Sequence, residues 1–157
     1  MPRLDTFNDT NNRPQIGIYS YSKSKNDKKA SGQFDFNVST IRDPAGQKQF
    51  AGLNGTHPEV RDWVAVDKRI SIIIADCLIL ADDLIKPKGE TGSAKSACKW
   101  LSFSFSDFHG KWTAPAVAES VANALSDEGY LVAVHHQAVP KEQVFCRDLL
   151  STQLCLP

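Results

Sequence analysis

No charge of either sign prevails in this chain: lysine plus arginine equals aspartate plus glutamate, at 18 each. Such a balance gives no global field to draw in nucleic acid, so any basic surface must be local. A long apolar run is also missing. The longest, residues 70–80, is broken by Ser71 and Asp76 and falls short of a bilayer-spanning length, so no membrane partner is expected. The opening MPRLDTFNDTNNRP lacks the apolar core of a secretory signal. Cys77, Cys98, Cys146 and Cys155 show neither CxxC nor CxxH spacing. Reduced thiols of a cytoplasmic protein are therefore expected, rather than disulfides or zinc ligands. His57, His135 and His136 form no recognisable metal set, and no metal or cofactor is expected. There are no internal repeats or extended low-complexity segments.

What is present suits a globular α/β protein. A length of 157 residues with 41% apolar content can bury one sizeable core. Residues 1–14 are polar and read as a flexible N-terminal arm, leaving 15–157 as a single domain. The expected architecture is a mixed, partly parallel sheet flanked by helices. Its centre is the stretch 99–134. Residues 100–106 alternate, with Leu101, Phe103 and Phe105 on one face and serines on the other, which is strand periodicity. A loop of residues 107–113 follows. From Pro115, residues Ala118, Val121, Ala122 and Leu125 recur at helical spacing, with Thr113 as the expected N-cap and Gly129 closing the helix. Residues 130–135 read as a buried strand. Strand, crossover helix and strand make a parallel unit.

Residues 15–21 are expected to form a first strand and 34–38 a second, short one. A long structured loop over 39–55 then leads to a short helix capped by Thr56. The clearest helix spans 67–85, where Ile70, Ile73, Ile74, Cys77, Leu78, Ala81, Leu84 and Ile85 repeat at i, i+3, i+4 and i+7. Ile72, Ile79 and Leu80 widen that stripe, so this helix should touch a neighbour besides the sheet. Asp82 and Asp83 read as a solvated face rather than a catalytic pair. Residues 86–93 read as a turn-rich loop, and 141–154 as a terminal helix.

Ligands of parallel sheets sit at the carboxyl ends of the strands. That rule directs attention to the stretch from Ser106 and Asp107 through His109, Gly110, Lys111 and Trp112 to Thr113. Backbone N–H groups at a helix start, beside a lysine and a hydroxyl, suit an anion such as phosphate. The pattern only partly matches a phosphate-binding P-loop, because Phe105 replaces its first glycine and Trp112 separates Lys111 from Thr113. A strand–helix turn with an incidental lysine is the alternative. Lys23 leaves the carboxyl end of the first strand and would reach the same ligand from the other side. His109, close to Asp107, offers acid/base chemistry without an evident second group, so no catalytic residue is assigned. One of His135 and His136 should face the core and the other the opposite side.

The order of these features resembles the RapZ C-terminal domain family, named for the RNase adapter protein RapZ. The resemblance rests on Ile16 to Tyr21, then Phe34-Asp35-Phe36-Asn37, Arg42-Asp43-Pro44, Gly52-Leu53 and His57-Pro58-Glu59-Val60. It continues through Ala116-Val117-Ala118-Glu119 and Val134-His135-His136. The family's glycine-rich loop corresponds to residues 107–114, where only Gly110 and a basic residue, Lys111, persist. Asn37 stands where the family has arginine after Asp35, and Gln137-Ala138 replace an Arg-Asp after the retained His136. The resemblance implies a non-catalytic, regulatory or adapter protein that binds a phosphorylated small molecule, with Asn37 and His136 added to the site. Loss of arginines should weaken phosphate affinity, since bidentate guanidinium contacts go with them. Two other functions stay open: an RNA-binding adapter using Lys23, Lys25, Lys28, Lys29 and Lys111, and an enzyme acting on a sugar phosphate or nucleotide through His109. The oligomeric state is open, a homo-oligomer included.

Overall fold

A computed structural model describes residues 15–25, 32–85, 100–145 and 153–155. Four strands and three helices carry the fold: β1 (Ile16–Ser22), β2 (Phe34–Asn37), α1 (Pro58–Ala65), α2 (Lys68–Leu84), β3 (Leu101–Asp107), α3 (Thr113–Asp127) and β4 (Val132–His136). A short β5 (Gln153–Cys155) extends the sheet beside β4. The order across the sheet is β2-β3-β1-β4-β5, and every pairing among the described strands is parallel rather than mixed. The fold is a single α/β domain.

The alternation expected of β3 decides how the layers stack. Ile18 lies in register between Phe103 and Val134, and Ser20 between Phe105 and His136. These residues form one face, covered by α3. That helix packs on β1, β3 and β4 and is buried on almost every side. Ala114, Ala116, Ala118 and Ala122 keep its surface small enough for this close approach. α1 and α2 pack against α3 in turn. Ile70, Cys77 and Ala81 are the buried residues of α2, and its C-cap Ile85 is buried too, with Ile73, Ile74 and Leu78 half-buried, whereas Leu84 is exposed. Burial pushes the Cys77 thiol up to about 12, with Asp76 adding to the effect, so it behaves as a small core residue. The opposite sheet face is polar: the Tyr21 hydroxyl donates to both carboxylate oxygens of Asp35 at 3.0 and 2.9 Å, and Ser104 donates to the same carboxylate at 2.8 Å.

Three local expectations are corrected. The described residues of the expected terminal helix over 141–154 are not helical in that way: residues Lys141–Gln143 make a single 3-10 turn, Val144 is extended, and Gln153–Cys155 pairs with β4. An open strand edge offers the backbone long-range partners that outweigh local helical periodicity. Thr56 does not cap α1. The His57 ring does so, its Nδ1 accepting from Glu59 N–H at 3.3 Å, while Thr56 donates to Asn54 at 2.5 Å and accepts from Phe145 N–H. Nor does Thr113 cap α3; it is the first helical residue, and its hydroxyl donates to the Arg42 carbonyl at 3.2 Å. The long loop is structured as expected, with 3-10 turns at Pro44–Gly46 and Lys48–Phe50. The N-terminal arm and the loop over 86–93 lie outside the described residues.

Asp67 caps α2, accepting from Arg69 N–H at 3.0 Å and from the Arg69 guanidinium at 2.9 and 2.6 Å. Those bonds, the side-chain one first, hold its carboxyl far below the usual range. A depressed carboxylate contributes stability above its unfolded pKa and loses it as pH falls toward the folded value. Asp67→Ala should therefore lower stability by about 1 kcal/mol at neutral pH. The gap from wild type should shrink as the pH drops below about 4, as read from urea midpoints; a constant gap would contradict the assignment.

Candidate functional site

A small cleft opens at the carboxyl ends of β2 and β3, where α3 begins. Its volume is about 50 Å³, and its walls are Ser39 and Asp43 from the loop after β2, Asp107, Phe108 and His109 after β3, and Trp112 and Thr113 at the helix start. The centre of its chemistry is Asp107. This residue ends β3 on the α3 side, so its buried carboxylate points at the helix. One oxygen accepts from Gly110 N–H and the other from Ala114 N–H at 2.7 Å. A strand-end aspartate thus caps α3 across the loop, and the anion held by these N–H groups is the chain's own carboxylate.

Gly110 makes this loop possible. Its φ of 69° lies in the left-handed region, and a Cβ there would stand 2.6 Å from Ser22 N and 2.8 Å from the Ala138 side chain. The loop therefore rests directly on the end of β1 and on the turn after β4. Ser22 fastens it further, donating from its hydroxyl to the Phe108 carbonyl at 2.8 Å. Lys23 N–H donates to the Asp107 carbonyl at 2.9 Å.

Of the residues singled out in the sequence, Asp107, His109, Trp112 and Thr113 meet in the cleft. The Lys111 ammonium lies 5.2 Å over the Trp112 ring, and its carbonyl accepts from Gly55 N–H at 2.9 Å. Lys23 and Lys25 are exposed at the end of β1, while Lys28 and Lys29 lie outside the described residues. The His109 ring packs edge-on against Phe108 at 4.9 Å. Asn37 does not line the cleft but orients a residue that does, accepting from Ser39 N–H at 3.1 Å and from its hydroxyl at 2.7 Å. Ser106 is buried on the opposite sheet face, toward Tyr21 and Asn37. Arg42 stacks 3.8 Å above Trp63 and donates to its carbonyl at 3.3 Å.

His136 belongs to a different assembly, beneath the cleft. Its Nε2 lies 2.6 Å from Glu119 and its Nδ1 2.7 Å from the Ser20 hydroxyl. Arg61 approaches the second Glu119 oxygen at 3.7 Å. An ionised carboxylate only accepts, so Nε2 carries a hydrogen, and in the neutral ring Nδ1 accepts from Ser20. Ser20, Glu119 and His136 are all buried, at 0%, 1% and 7% exposure. A serine that no substrate reaches is not a nucleophile in this state. The chain of bonds instead ties β1, β4, α3 and α1 together. His135 takes the other face beside Tyr19, as the alternation requires. Sequence reading missed Ser20 and Glu119 as a pair. The signal available was a polar residue at a core position of each element, Ser20 after Ile16 and Ile18, and Glu119 inside a run of alanines and valines.

The model of the RapZ C-terminal domain matches residues 14–140. The chain belongs to this family. That membership suggests a regulatory or adapter role. A search of curated proteins returns no match. Every element that builds the cleft, from β1 to the end of β4, falls within the matched span.

Two substitutions probe the site's foundations. Gly110→Ala should destabilise the loop, because the strain of φ adds to the clash with β1, and a lowered melting temperature would show it. Glu119→Ala should cost about 1–3 kcal/mol, since it leaves the buried Nε2–H donor of His136 unpaired. A denaturant midpoint equal to wild type would remove the buried chain of bonds from the stabilising interactions.

Proposed function

We propose that this RapZ C-terminal domain is a non-catalytic regulatory module that binds a phosphorylated small molecule, a sugar phosphate or nucleotide, at the carboxyl edge of its parallel sheet. One observation carries the reading: the loop and the start of α3 already hold an anion through two backbone N–H groups, inside a cleft. The anion is Asp107, so an incoming phosphate meets a like charge and binds at the rim rather than on those N–H groups. Lys111 supplies the positive charge, Trp112 a surface for a sugar or base to stack on, and Ser39 and Thr113 polar contacts. Lys23 closes the side formed by β1. The Glu119–His136–Ser20 bonds keep the sheet ends and α3 in register beneath the ligand.

Calorimetry with glucosamine phosphate, other sugar phosphates and nucleotides tests this. Wild type should bind weakly, and Lys111→Ala should weaken binding further. Asp107→Asn removes the competing charge but sets its NH2 group against one of the two N–H donors, so it should lower the melting temperature while tightening binding by the folded protein about tenfold; melting temperatures check that each variant is folded. Folded protein that binds none of these ligands, Asp107→Asn included, would reject the proposal.

A further inference from the structure

The turn that leads into α1 joins two parts of the chain that are far apart in sequence. Its centre is Asn54, which is 2% exposed and uses both ends of its side-chain amide. The Oδ1 accepts from the Thr56 N–H at 2.9 Å and from the Thr56 hydroxyl at 2.5 Å, and the Nδ2 donates to the Gln143 carbonyl at 2.7 Å. Only one orientation of the amide satisfies these partners, since a backbone N–H only donates and a carbonyl only accepts. Thr56 adds a second tie, its Oγ1 accepting from the Phe145 N–H at 3.0 Å. Residues 143–145, which follow β4, are thus strapped across the turn, with the Phe145 ring edge-on to His57 at 4.5 Å.

The other side of the turn meets the loop that walls the cleft. Gly55 N–H donates to the Lys111 carbonyl at 2.9 Å. A Cβ on Gly55 would overlap the Trp112 carbonyl oxygen and stand 2.8 Å from the Ala116 nitrogen, so its backbone lies directly on the start of α3. Asp107 holds the loop on either side of Lys111, through Gly110 and Ala114, and Gly55 holds the carbonyl between them. A turn packed this closely passes a displacement on, because its neighbours leave no space to absorb it. We infer that Asn54 is a positioning residue for the ligand site: with Thr56 it locks residues 143–145 to the turn, and through Gly55 it sets the backbone of Lys111 and with it the place of the ammonium group. The ligand in this inference is that of the function proposed above, whereas the link from Asn54 to Lys111 exists in the protein alone.

Two measurements on the full chain test it, one of them without ligand. The first is the NMR scalar coupling across the hydrogen bond from the Gly55 nitrogen to the Lys111 carbonyl carbon. Asn54→Ala and Thr56→Val should each abolish it while couplings across the β1–β4 pairing persist, and Thr56→Ser should keep it. Thr56→Val, which preserves the shape of the side chain, serves if Asn54→Ala does not fold. The second is calorimetry with glucosamine phosphate. Asn54→Ala and Thr56→Val should each raise the dissociation constant about fivefold, Thr56→Ser should stay near wild type, and neither damaging change should weaken binding further once Lys111→Ala is present. A coupling intact in both damaging variants would overturn the inference. So would an equal loss of affinity with and without Lys111, which would make Asn54 a general support of the fold. Wild type that binds no glucosamine phosphate counts against the proposed ligand, and the scalar coupling then decides by itself whether Asn54 sets the Lys111 backbone.

Discussion

The carboxylate of Asp107 is the contact on which the carboxyl edge of the sheet depends. It ends β3, it receives the N–H groups of Gly110 and Ala114, and so it fixes both the path of the loop and the direction from which α3 starts. A helix start pointed at the carboxyl end of a parallel sheet attracts negative charge. Here the chain supplies that charge itself. The cost of burying Asp107 is offset by the hydrogen bonds it accepts. The same choice sets the character of the cleft, in which a carboxylate stands where an external anion would otherwise make its closest contacts.

Beneath that edge, a second set of polar contacts holds the layers together. Ser20, His136 and Glu119 come from β1, β4 and α3, and Arg61 of α1 closes the row. Apolar packing between α3 and the sheet is non-directional and would tolerate small slips. Hydrogen bonds at 2.6 and 2.7 Å do not. The geometry resembles the order of groups in a serine hydrolase, yet the serine is sealed from solvent, so its role in this state is positional. Glycine at residue 110 complements this rigidity by letting the loop lie against β1 and the turn after β4.

The two faces of the sheet divide the labour differently from what a composition of evenly mixed charges suggests. The α3 face is aliphatic and aromatic and holds the core. The opposite face carries tyrosine, serine and aspartate in a bonded network around Asp35. α2 repeats the theme on a smaller scale, with one side in the core and another presenting exposed isoleucines.

Much was legible in the residues alone. Alternation in β3 and the i, i+3, i+4 pattern of α2 gave both elements to within a residue or two, because periodicity reports directly which side of a segment is shielded from water. The rule that ligands gather at strand ends led to the stretch after β3, and four of its residues line the cleft. The family was legible from the order of short motifs. Tertiary structure alone decided which groups those motifs would meet. The sequence could not show that Asp107 rather than Thr113 would cap α3, since both are short oxygen-bearing side chains near the helix start and only the exit direction of β3 distinguishes them. It could not show that Ser20 and Glu119 would converge on His136, because the register between β1 and β4 and the placement of α3 over them arise from packing across distant segments. It misread Gln153 and Leu154 as helical, because β4 offers a strand edge that no local pattern records.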